Sequence, residues 1–401
     1  MISKKHLRKV ALQKTNVAKV SSDESSSFSL VGETSVRVQN CADIVEKLMS
    51  YVGGHFKATV VHQDSFTLLR ILPMRWSDAL EAIGMDHVSD ISLDLGRRPY
   101  CWHNYQRKYL CENTNDFVED RDIHEIATSL HEFGDDNRAG IDGQLHRISC
   151  IRNNANKIIG LTIRVGRYIE GNSDMIRDLL EEKDKSILIL GEPGSGKTTI
   201  VRDVAKTLSL KDNVFIVDTS NEIAGNGNIP HSCVGDSRRM MVKSLSSQAN
   251  TMIECVQNHT PTVMIIDEIG RTKEVEAAQT SKNRGVRMIA SAHGDLRSLI
   301  KNKDIRGLIG GINTVTLGDA EAKIAQKKNG SKAIDKQLTA RAAAPIFDVI
   351  IEVKRDRLNE WHIIPNAAKA VDDILSGEKY EVQKRMRCVN TGSIFVERVQ
   401  N

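Results

Sequence analysis

Ser186-Ile-Leu-Ile-Leu-Gly-Glu-Pro-Gly-Ser-Gly-Lys-Thr-Thr199 is a short apolar run that leads into Gly191–Thr198, a complete G-x-x-x-x-G-K-[ST] phosphate-binding loop. The glycines let successive backbone N–H groups point at a triphosphate, and the following helix adds the partial positive charge of its N-terminus. The apolar run predicts a strand and Thr199–Leu208 predicts a helix, a context that separates this loop from a chance glycine-rich turn. We therefore expect the loop to bind a nucleotide.

Each position of the loop has an expected contact. Lys197 would reach the β- and γ-phosphates, and the Thr198 hydroxyl would ligate Mg²⁺. The residues expected to line the bound nucleotide are Gly191, Glu192, Pro193, Gly194, Ser195, Gly196, Lys197, Thr198 and Thr199.

The composition limits the class of protein. The 401 residues suffice for two domains, and the formal charge of +4 is small for this size, so composition alone does not require a nucleic-acid partner. The seven cysteines are scattered without a C-x-x-C pair, which fits neither a disulfide framework nor a zinc ribbon and favours a reducing compartment. No apolar run approaches the roughly 20 residues of a membrane span, so we expect no transmembrane segment, although docking on a membrane complex stays open.

The sequence divides into a basic leader, a small N-terminal α+β domain, a nucleotide-binding core and a C-terminal tail, which we place at residues 1–40, 41–170, 171–370 and 371–401. The serine-rich leader is typical of an organelle transit peptide and equally of a disordered basic tail. In the N-terminal domain, Ile44–Val52 predicts a helix and Ser89–Leu95 a strand. Leu145–Arg152 and Ile158–Arg164 predict a β-hairpin.

Strands alternate with helices from Ser186 onward, which predicts a parallel sheet wrapped by helices. The four strands expected in this sheet are Ser186–Leu190, Val214–Val217, Val263–Ile266 and Val286–Ser291. Three further segments are expected to be edge strands, namely Thr314–Leu317, Phe347–Val353 and Glu360–Ile364. Lys323–Lys336 is rich in lysine and is expected to be an exposed loop.

An apolar strand that ends in two acids, Val263–Glu268, follows the phosphate loop. Asp267 would hold the Mg²⁺ shell through water, and Glu268 would polarise the attacking water. Solvated acids that merely cap the strand are the simpler alternative. The adjacent acids favour an ATPase over a switch GTPase, and Lys301–Asp304 misses the guanine-reading N-K-x-D because its Asp comes one position too early. We therefore expect ATP.

Two more polar side chains follow predicted strands. Glu222, in the segment Asp218–Gly225, would share the activation of water, unless Asp218 simply caps a turn there. His293 follows the strand Val286–Ser291 at the edge where ligands of open α/β sheets bind, and it would sense the γ-phosphate, unless it is a structural histidine. The expected catalytic residues are Glu268, Glu222, His293 and Lys197.

The four elements Gly191–Thr198, Val217–Ile223, Ile265–Gly270 and Ser291–Gly294 together resemble the stage III sporulation protein AA family, and its cyanobacterial and plastid branch in particular. The likeness extends over roughly residues 60–365 and includes Leu93–Pro99, Asp136–Asp142, Gly160–Arg167, Leu308–Asp319 and Ala344–Asp348.

This resemblance implies an additional-strand, RecA-like P-loop ATPase related to secretion and pilus motors. The sensor strand would lie between the phosphate-loop strand and the acid-tipped strand. It also implies a homo-oligomer, a hexameric ring, acting on an unknown protein substrate or membrane complex. The leader and the family together favour the plastid stroma over the cytoplasm.

Two arginine sets are candidates for the site. One of the core arginines would serve as an arginine finger from a neighbouring subunit, with surface ion pairing as the alternative: Arg238, Arg239, Arg271, Arg284 and Arg287. Some arginines of the N-terminal domain would close over the nucleotide, with solvated strand faces as the alternative: Arg97, Arg98, Arg138, Arg147, Arg152, Arg164 and Arg167.

Two rival functions remain. A nucleic-acid-dependent ATPase is supported by the lysine-rich loop Lys323–Lys336 and the basic termini, but the arginine–histidine signature of the single-stranded nucleic-acid-binding module of some plant relatives is absent from the C-terminal region. A non-hydrolytic scaffold, ordered by nucleotide, is disfavoured by the acids Glu222 and Glu268.

Overall fold

The computed structural model describes residues 65–134, 136–316, 337–388 and 391–401, together with three short strands, β1 (Ala18–Lys19), β2 (Ser29–Leu30) and β3 (Thr59–Val61). Strands β1 and β2 pair with each other. The rest of the predicted leader, the predicted helix Ile44–Val52 and the predicted loop Lys323–Lys336 lie outside the described residues.

The N-terminal domain is an antiparallel sheet with helices on one face. Its six strands lie in the order β6-β5-β4-β9-β8-β7. Their bounds are β4 Val88–Asp94, β5 Tyr100–His103, β6 Gln106–Tyr109, β7 Arg138–Ala139, β8 Arg147–Arg152 and β9 Ile158–Arg164. The helices are Ser65–Ile71, Met74–Ile83 and Asp120–Thr128.

Alternation along these strands explains why the helices cover a single face. Ile91, Leu93, Leu161 and Ile163 are fully buried and pack with Trp76 of the second helix in one apolar cluster. The residues between them point to the opposite face, because successive side chains of a strand alternate. The predicted hairpin is confirmed, since β8 and β9 pair antiparallel. After it, β10 (Tyr168–Glu170) pairs with β3.

The core is built on a nine-stranded sheet in the order β13-β12-β14-β15-β11-β18-β19-β20-β21. The strands from β13 to β18 in this order run parallel, and the last three are antiparallel. The strand bounds are β11 Ile187–Gly191, β12 Val214–Asp218, β13 Arg238–Met241, β14 Val263–Ile266, β15 Arg287–His293, β16 Ile312–Thr316, β17 Gln337–Arg341, β18 Val349–Val353, β19 Glu360–Ile364, β20 Glu381–Arg387 and β21 Ile394–Gln400.

Helices cover both faces of this sheet, so its central strands are buried on both sides and read as continuous apolar runs. Leu188 and Leu190 of β11 belong to one apolar cluster, and Ile187 and Ile189 belong to the other. The α-helices are Arg177–Glu181, Lys197–Ser209, Gln248–His259, Thr272–Asn283, Leu296–Lys301 and Ala367–Leu375. Within the described ranges, none of the helices has the length and hydropathy that crossing a bilayer requires.

The predicted fold class is confirmed: β15 lies between β11 and β14, as in an additional-strand P-loop core, and a small α+β domain precedes it. Three placements differ from the prediction. Strand β18 is not at an edge but pairs in parallel with β11. Strand β16 does not join the core sheet and pairs instead with β17. Strand β19 is followed by β20 and β21, so it is not the last strand either.

The region set apart as a C-terminal tail contains β20 and β21, and β20 is fastened to the start of the core. The Arg385 guanidinium, 5% exposed, donates to both carboxylate oxygens of Asp178, at 2.5 and 2.8 Å. It also donates to the Met175 carbonyl at 2.7 Å. A buried guanidinium needs such partners to offset its lost hydration. These contacts bind the last strands to the segment that enters the phosphate-loop strand.

Candidate nucleotide site

The phosphate loop has the backbone that its glycines predict. Gly194 and Gly196 have φ of +77° and +87°, a conformation that L side chains rarely adopt. A Cβ on Gly191 would lie 2.5 Å from the Ser195 hydroxyl and 2.6 Å from the Val353 carbonyl oxygen, so that position must remain a glycine. The Ser195 hydroxyl is buried and has no hydrogen-bond partner among the described residues. A phosphate oxygen in the loop would supply one.

Lys197 begins the helix after the loop and lies at its rim. Its ammonium group donates to the carbonyl oxygens of Gly191 and Glu192, at 2.8 and 3.0 Å, and lies 3.4 Å from His293 Nδ1. The side chain is only 7% exposed, and burial lowers the pKa of Lys197, while the charges of Glu268 and Asp267 act in the opposite direction. The lysine is thus held among the residues expected to act with it.

His293 connects Lys197 to Glu268. Its Nε2 lies 2.9 Å from Glu268 Oε1, and both side chains are about half exposed. Because an ammonium group only donates hydrogen bonds, Nδ1 accepts from Lys197 and Nε2 carries the hydrogen that reaches the carboxylate. The Glu268 carbonyl accepts from Gln248 Nε2 at 2.6 Å, which fixes the backbone of this acid. Three of the four expected catalytic residues therefore form one hydrogen-bonded chain.

Asp267 follows β14 and is 8% exposed. Burial, followed by the charges of Asp218, Glu222 and Glu268, raises its pKa to about 8. Its backbone carbonyl accepts from the Ser291 hydroxyl. A buried carboxylate next to other acids is costly to ionise without a cation, and oxygen ligands of this kind suit Mg²⁺. Thr198, the other expected ligand, lines the cavity described below.

The loop after β12 fits both interpretations offered for it. Asp218 is completely buried and accepts from the backbone N–H groups of Ile223 and Ala224, at 3.3 and 2.9 Å, so it closes the turn. Burial raises the pKa of Asp218. The same turn presents Glu222, whose carboxylate lies 3.1 Å from Arg147 of the N-terminal domain. Strand β12 neighbours β14, and the charge of Glu222 acts on Asp267, the residue that follows β14.

A cavity of about 390 Å³ lies between the phosphate loop and the N-terminal sheet. Of the arginines considered in that sheet, Arg147 and Arg164 line the cavity. The lining residues also include Gly194, Gly196, Lys197, Thr198, Thr199, Arg202, Asn221 and Glu222. Burial and then the charge of Arg164 lower the pKa of Arg147. The two residues are direct partners across β8 and β9, so two neighbouring cations line the cavity, which suits an anion.

Most of the other candidate arginines make structural contacts. In the N-terminal domain, Arg98 donates to a backbone carbonyl, Arg138 pairs with Asp136, Arg152 donates to Asn137 and Arg167 donates to backbone carbonyls. In the core, Arg239 and Arg287 each donate to several backbone carbonyls, and Arg238 stacks over Phe215. Arg271 and Arg284 are exposed and keep the finger hypothesis open.

The turn between β18 and β19 contributes contacts that the sequence analysis did not identify. A Cβ on Gly194 would lie 3.7 Å from Arg355 Nε, and one on Gly196 would lie 3.9 Å from Leu358 Cδ2, so this turn lies against the phosphate loop. Arg355 is exposed, and no carboxylate of the described residues pairs with it. The sequence shows a basic turn after an apolar strand, but a contact between this turn and the phosphate loop could not be predicted from it. That contact arises because β18 lies beside β11.

Comparison with known proteins agrees with this architecture. The family model "Sporulation stage III, protein AA" matches residues 124–314. The uncharacterized protein ycf45 of Cyanidium caldarium is 38% identical over 306 residues, which is 76% of this chain and 88% of that protein. The chain belongs to the plastid branch of the stage III sporulation protein AA family. Stage III sporulation protein AA of Bacillus subtilis is 33% identical over 160 residues, 38% of this chain and 52% of that protein.

Two further relatives of the family are longer than the matched region. Uncharacterized protein ycf45 of Porphyra purpurea is 44% identical over 84% of this chain, and the match spans 58% of that protein. Protein SEEDLING PLASTID DEVELOPMENT 1 of Arabidopsis thaliana is 41% identical over 79% of this chain, and the match spans 45% of that protein. The chain thus spans about half the length of these relatives.

Solved structures with a similar fold include the pilus retraction motor PilT with bound ADP, at 15% identity and a TM-score of 0.45, covering 69% of this chain and 77% of that one. The ATPase DotB of Legionella pneumophila matches at 12% identity and a TM-score of 0.42, covering 82% of this chain and 80% of that one.

Proposed function

We propose that this chain is a Mg²⁺-dependent ATPase of the secretion and sporulation motor type. The observation that carries the proposal is the hydrogen-bonded chain from Lys197 through His293 to Glu268, which begins at the rim of the phosphate loop. A loop that only stored nucleotide would not require a carboxylate oriented by a histidine beside the γ-phosphate position.

The residues divide the work of hydrolysis. Glu268 accepts the proton of the attacking water, and His293 holds its carboxylate in position through Nε2. Lys197 binds the β- and γ-phosphates. Thr198 and Asp267 would hold Mg²⁺, which would supply positive charge against the negative charge of the phosphate oxygens.

Coupling to movement is proposed through the N-terminal domain. Arg147 and Arg164 lie on the opposite side of the cavity from Lys197, and Arg147 is paired with Glu222. Loss of the γ-phosphate changes the charge between these groups, so their separation depends on the nucleotide state. Glu222 shares the activation of water when the pair opens.

The turn residue Arg355 joins the proposed site. Its unpaired guanidinium lies against Gly194, at the mouth of a loop built for phosphate. We propose that it contacts phosphate oxygens in the same chain, a role that arginine suits because of its planar donor geometry.

Assembly and location are proposed from the family. A homo-oligomer in the form of a hexameric ring would let the exposed Arg271 or Arg284 reach a neighbouring site. The name of the Arabidopsis relative supports a role in plastids, and we propose the stroma as the location. The load is proposed to be a protein or a membrane complex.

Replacement of Glu268 by Gln tests the proposal. We expect phosphate release from ATP in the presence of Mg²⁺ to fall by about 100-fold or more, because the amide cannot accept a proton, while ATP affinity changes little. Phosphate release and the affinity for a fluorescent ATP analogue are measured in parallel. The matched control is Glu276→Gln on the exposed face of Thr272–Asn283.

Two results would contradict this assignment. Turnover by Glu268→Gln close to that of the unchanged chain would remove Glu268 as the base. Tight ATP binding by the unchanged chain with no phosphate release would favour the non-hydrolytic scaffold.

A further inference from the structure

One end of the N-terminal sheet presents aromatic rings on the face that the helices do not cover. The register pairs Tyr100 with Tyr109 and Trp102 with Arg107 across β5 and β6. Cys101, between the two aromatic residues of β5, is fully buried in the cluster under the helices, so Tyr100 and Trp102 point to the other face. Tyr109 is 45% exposed. We call Tyr100, Trp102, Arg107 and Tyr109, together with Arg98, the aromatic face.

Rings and guanidinium groups alternate on the aromatic face. Arg107 Cζ lies 4.4 Å from the centre of the Tyr100 ring and 5.4 Å from that of Trp102. Arg98 Cζ lies 4.1 Å from the centre of the Tyr109 ring. The Tyr100 ring centre is 6.2 Å from that of Trp102 and 6.4 Å from that of Tyr109, with steep interplanar angles. The arrangement offers several flat surfaces within the span of a few nucleotides.

The aromatic face is also positively charged. Across the described part of the chain, Arg107 makes no ion pair, and Arg98 donates to the backbone carbonyl of Cys111. The nearest acid in register, Asp90, lies opposite Trp102 and pairs with Arg164 at 3.3 Å. Cations without carboxylate partners leave a surface that attracts a polyanion.

The hairpin tip adds another exposed ring. Asn104 and Tyr105, which join β5 to β6, have φ of +48° and +63°. Glycine is the favoured residue in such a turn, because a side chain is disfavoured in the left-handed region. Tyr105 nevertheless occupies the position and is 99% exposed. Tyr105 thus combines an unfavourable backbone conformation with a fully solvent-exposed ring.

We propose that the aromatic face binds single-stranded nucleic acid. Unpaired bases stack on aromatic rings and on guanidinium planes, and each base carries a phosphate for an unpaired cation. A duplex keeps its bases stacked inside and has no free faces to offer. A protein partner would instead have to bury the exposed guanidinium of Arg107 against a carboxylate of its own. The aromatic face shares no residue with the lining of the cavity at the phosphate loop.

The test measures binding of fluorescein-labelled oligo(dT) and oligo(U) of roughly 20 nucleotides to the full chain by fluorescence anisotropy. We expect binding that weakens with added salt and that duplex DNA of the same length competes for poorly. Trp102→Ala and Arg107→Ala should each raise the Kd about 5- to 100-fold, as loss of one stacked base does. Comparison of the Kd values for oligo(dT) and oligo(U) shows whether DNA or RNA is preferred.

The chain provides matched controls. Phe66 and Arg70 form another cation–π pair, 5.2 Å apart, on the first helix of the same domain, and Phe66 is 66% exposed. Phe66→Ala and Arg70→Ala remove the same groups away from the aromatic face and should leave the Kd unchanged within about 2-fold. Should Trp102→Ala fold poorly, the exposed Arg107→Gln gives the same test with little effect on packing.

Tryptophan fluorescence gives an independent measurement. Of the three tryptophans, Trp76 and Trp361 are 0% and 2% exposed, whereas Trp102 is partly exposed. A base stacked on Trp102 should quench the emission of the unchanged chain, and Trp102→Ala should lose that quenching.

Three results would overturn the proposal. The first is no binding of either oligonucleotide at low salt, and the second is equal binding by the variants and their controls. The third is a lower sedimentation coefficient of Trp102→Ala without nucleic acid, which would assign the aromatic face to contact between copies of this chain. ATP-analogue affinity, measured on the same proteins, separates failure here from failure of the proposed ATPase.

Discussion

His293 hydrogen-bonds at the same time to the residue that would bind phosphate and to the residue that would activate water. Lys197 donates to its Nδ1 at 3.4 Å, and its Nε2 reaches Glu268 at 2.9 Å. If Lys197 turns towards a γ-phosphate, it leaves Nδ1 and alters the hydrogen bond that orients Glu268. In the proposed ATPase, phosphate contact and base orientation would therefore be linked through one imidazole ring.

Asp267 makes stability depend on pH. Its pKa is about 8 in the folded chain, against an ordinary value of 3.8, because the carboxyl is buried among other acids. Between these values the folded chain retains a proton that the unfolded chain releases, so the free energy of unfolding should fall as pH rises from about 4 to about 8. The loss is at most about 1.4 kcal/mol per pH unit.

Urea denaturation without divalent cations, at several pH values in this window, checks the prediction. Asp267→Asn should flatten the slope, whereas Asp304→Asn, at an exposed aspartate, should keep it. Parallel slopes for the unchanged chain and Asp267→Asn would show that the carboxyl is already ionised when folded.

The candidate-site residues that could be predicted from the sequence are those that directly follow predicted strands. Asp267, Glu268 and His293 come directly after apolar runs, and parallel strands bring their carboxyl ends to one edge. Arg147 and Arg164 could be included only in a longer set, because alternation along a strand does not say which face another domain will meet. Their selection required the register of β8 with β9 and the cavity.

At the level of elements, the turn between β18 and β19 contacts the phosphate loop because β18 pairs with β11, the strand that leads into that loop. Arg355 of this turn lies beside Gly194 and pairs with no carboxylate of the described residues, whereas Arg357 is paired with Asp356 and Glu360. Arg355→Ala should weaken binding of a fluorescent ATP analogue by roughly 3- to 30-fold, because one charge-assisted contact to phosphate is lost from an exposed position.

Arg357→Ala is the matched control from the same turn and should change this affinity by less than about 2-fold. The affinity is titrated at low and moderate salt, and the difference between the two variants should shrink as salt screens the exposed charge. Equal affinities at low salt would place Arg355 outside the nucleotide site.

Strand order also marks how far the sequence could predict the fold. Strands β11, β12, β14 and β15 were predictable since their continuous apolar runs are typical of parallel strands buried on both faces. Nothing local distinguishes a central β18 from an edge strand, because pairing partners far apart in the chain decide its place. Strand β20 is rich in charged residues and β21 has only the short apolar run Ile394–Val396, so no long apolar run predicted the two strands beyond β19.

At the scale of the whole molecule, the two domains meet through close backbone contacts as well as through side chains such as Tyr168, whose ring centre lies 5.0 Å from that of His231. A Cβ on Gly225 would lie 2.1 Å from the Gln144 carbonyl oxygen, and one on Gly227 would lie 2.6 Å from Asp142 Cα. Gly143 N–H donates to the Ile229 carbonyl oxygen at 2.9 Å. These contacts begin three residues after Glu222, so a shift of the N-terminal domain would move the loop that carries this acid.

Gly225→Ala tests whether this contact joins the domains. Gly225 has φ of +89° and the close Gln144 contact, whereas Gly285 has φ of +79° and no atom within 4 Å of the position that a Cβ would take. Both alanine variants should lose about 1 kcal/mol of stability from the backbone conformation. Gly225→Ala should lose a further 1–3 kcal/mol or so, because the loop must move away from the N-terminal domain.

Urea denaturation measures the stability difference, and amide hydrogen exchange shows where it arises. In Gly225→Ala, the Gly143 amide, which bonds across the contact, should exchange faster, and the Ile229 amide, which donates to Asp142 at 3.1 Å, should follow it. Gly285→Ala should leave both amides protected. A change in ATP turnover by Gly225→Ala, either an increase or a loss, with unchanged ATP affinity would show that the domain contact affects the loop that carries Glu222. Equal stability and equal exchange in the two variants would mean that the N-terminal domain does not hold this loop.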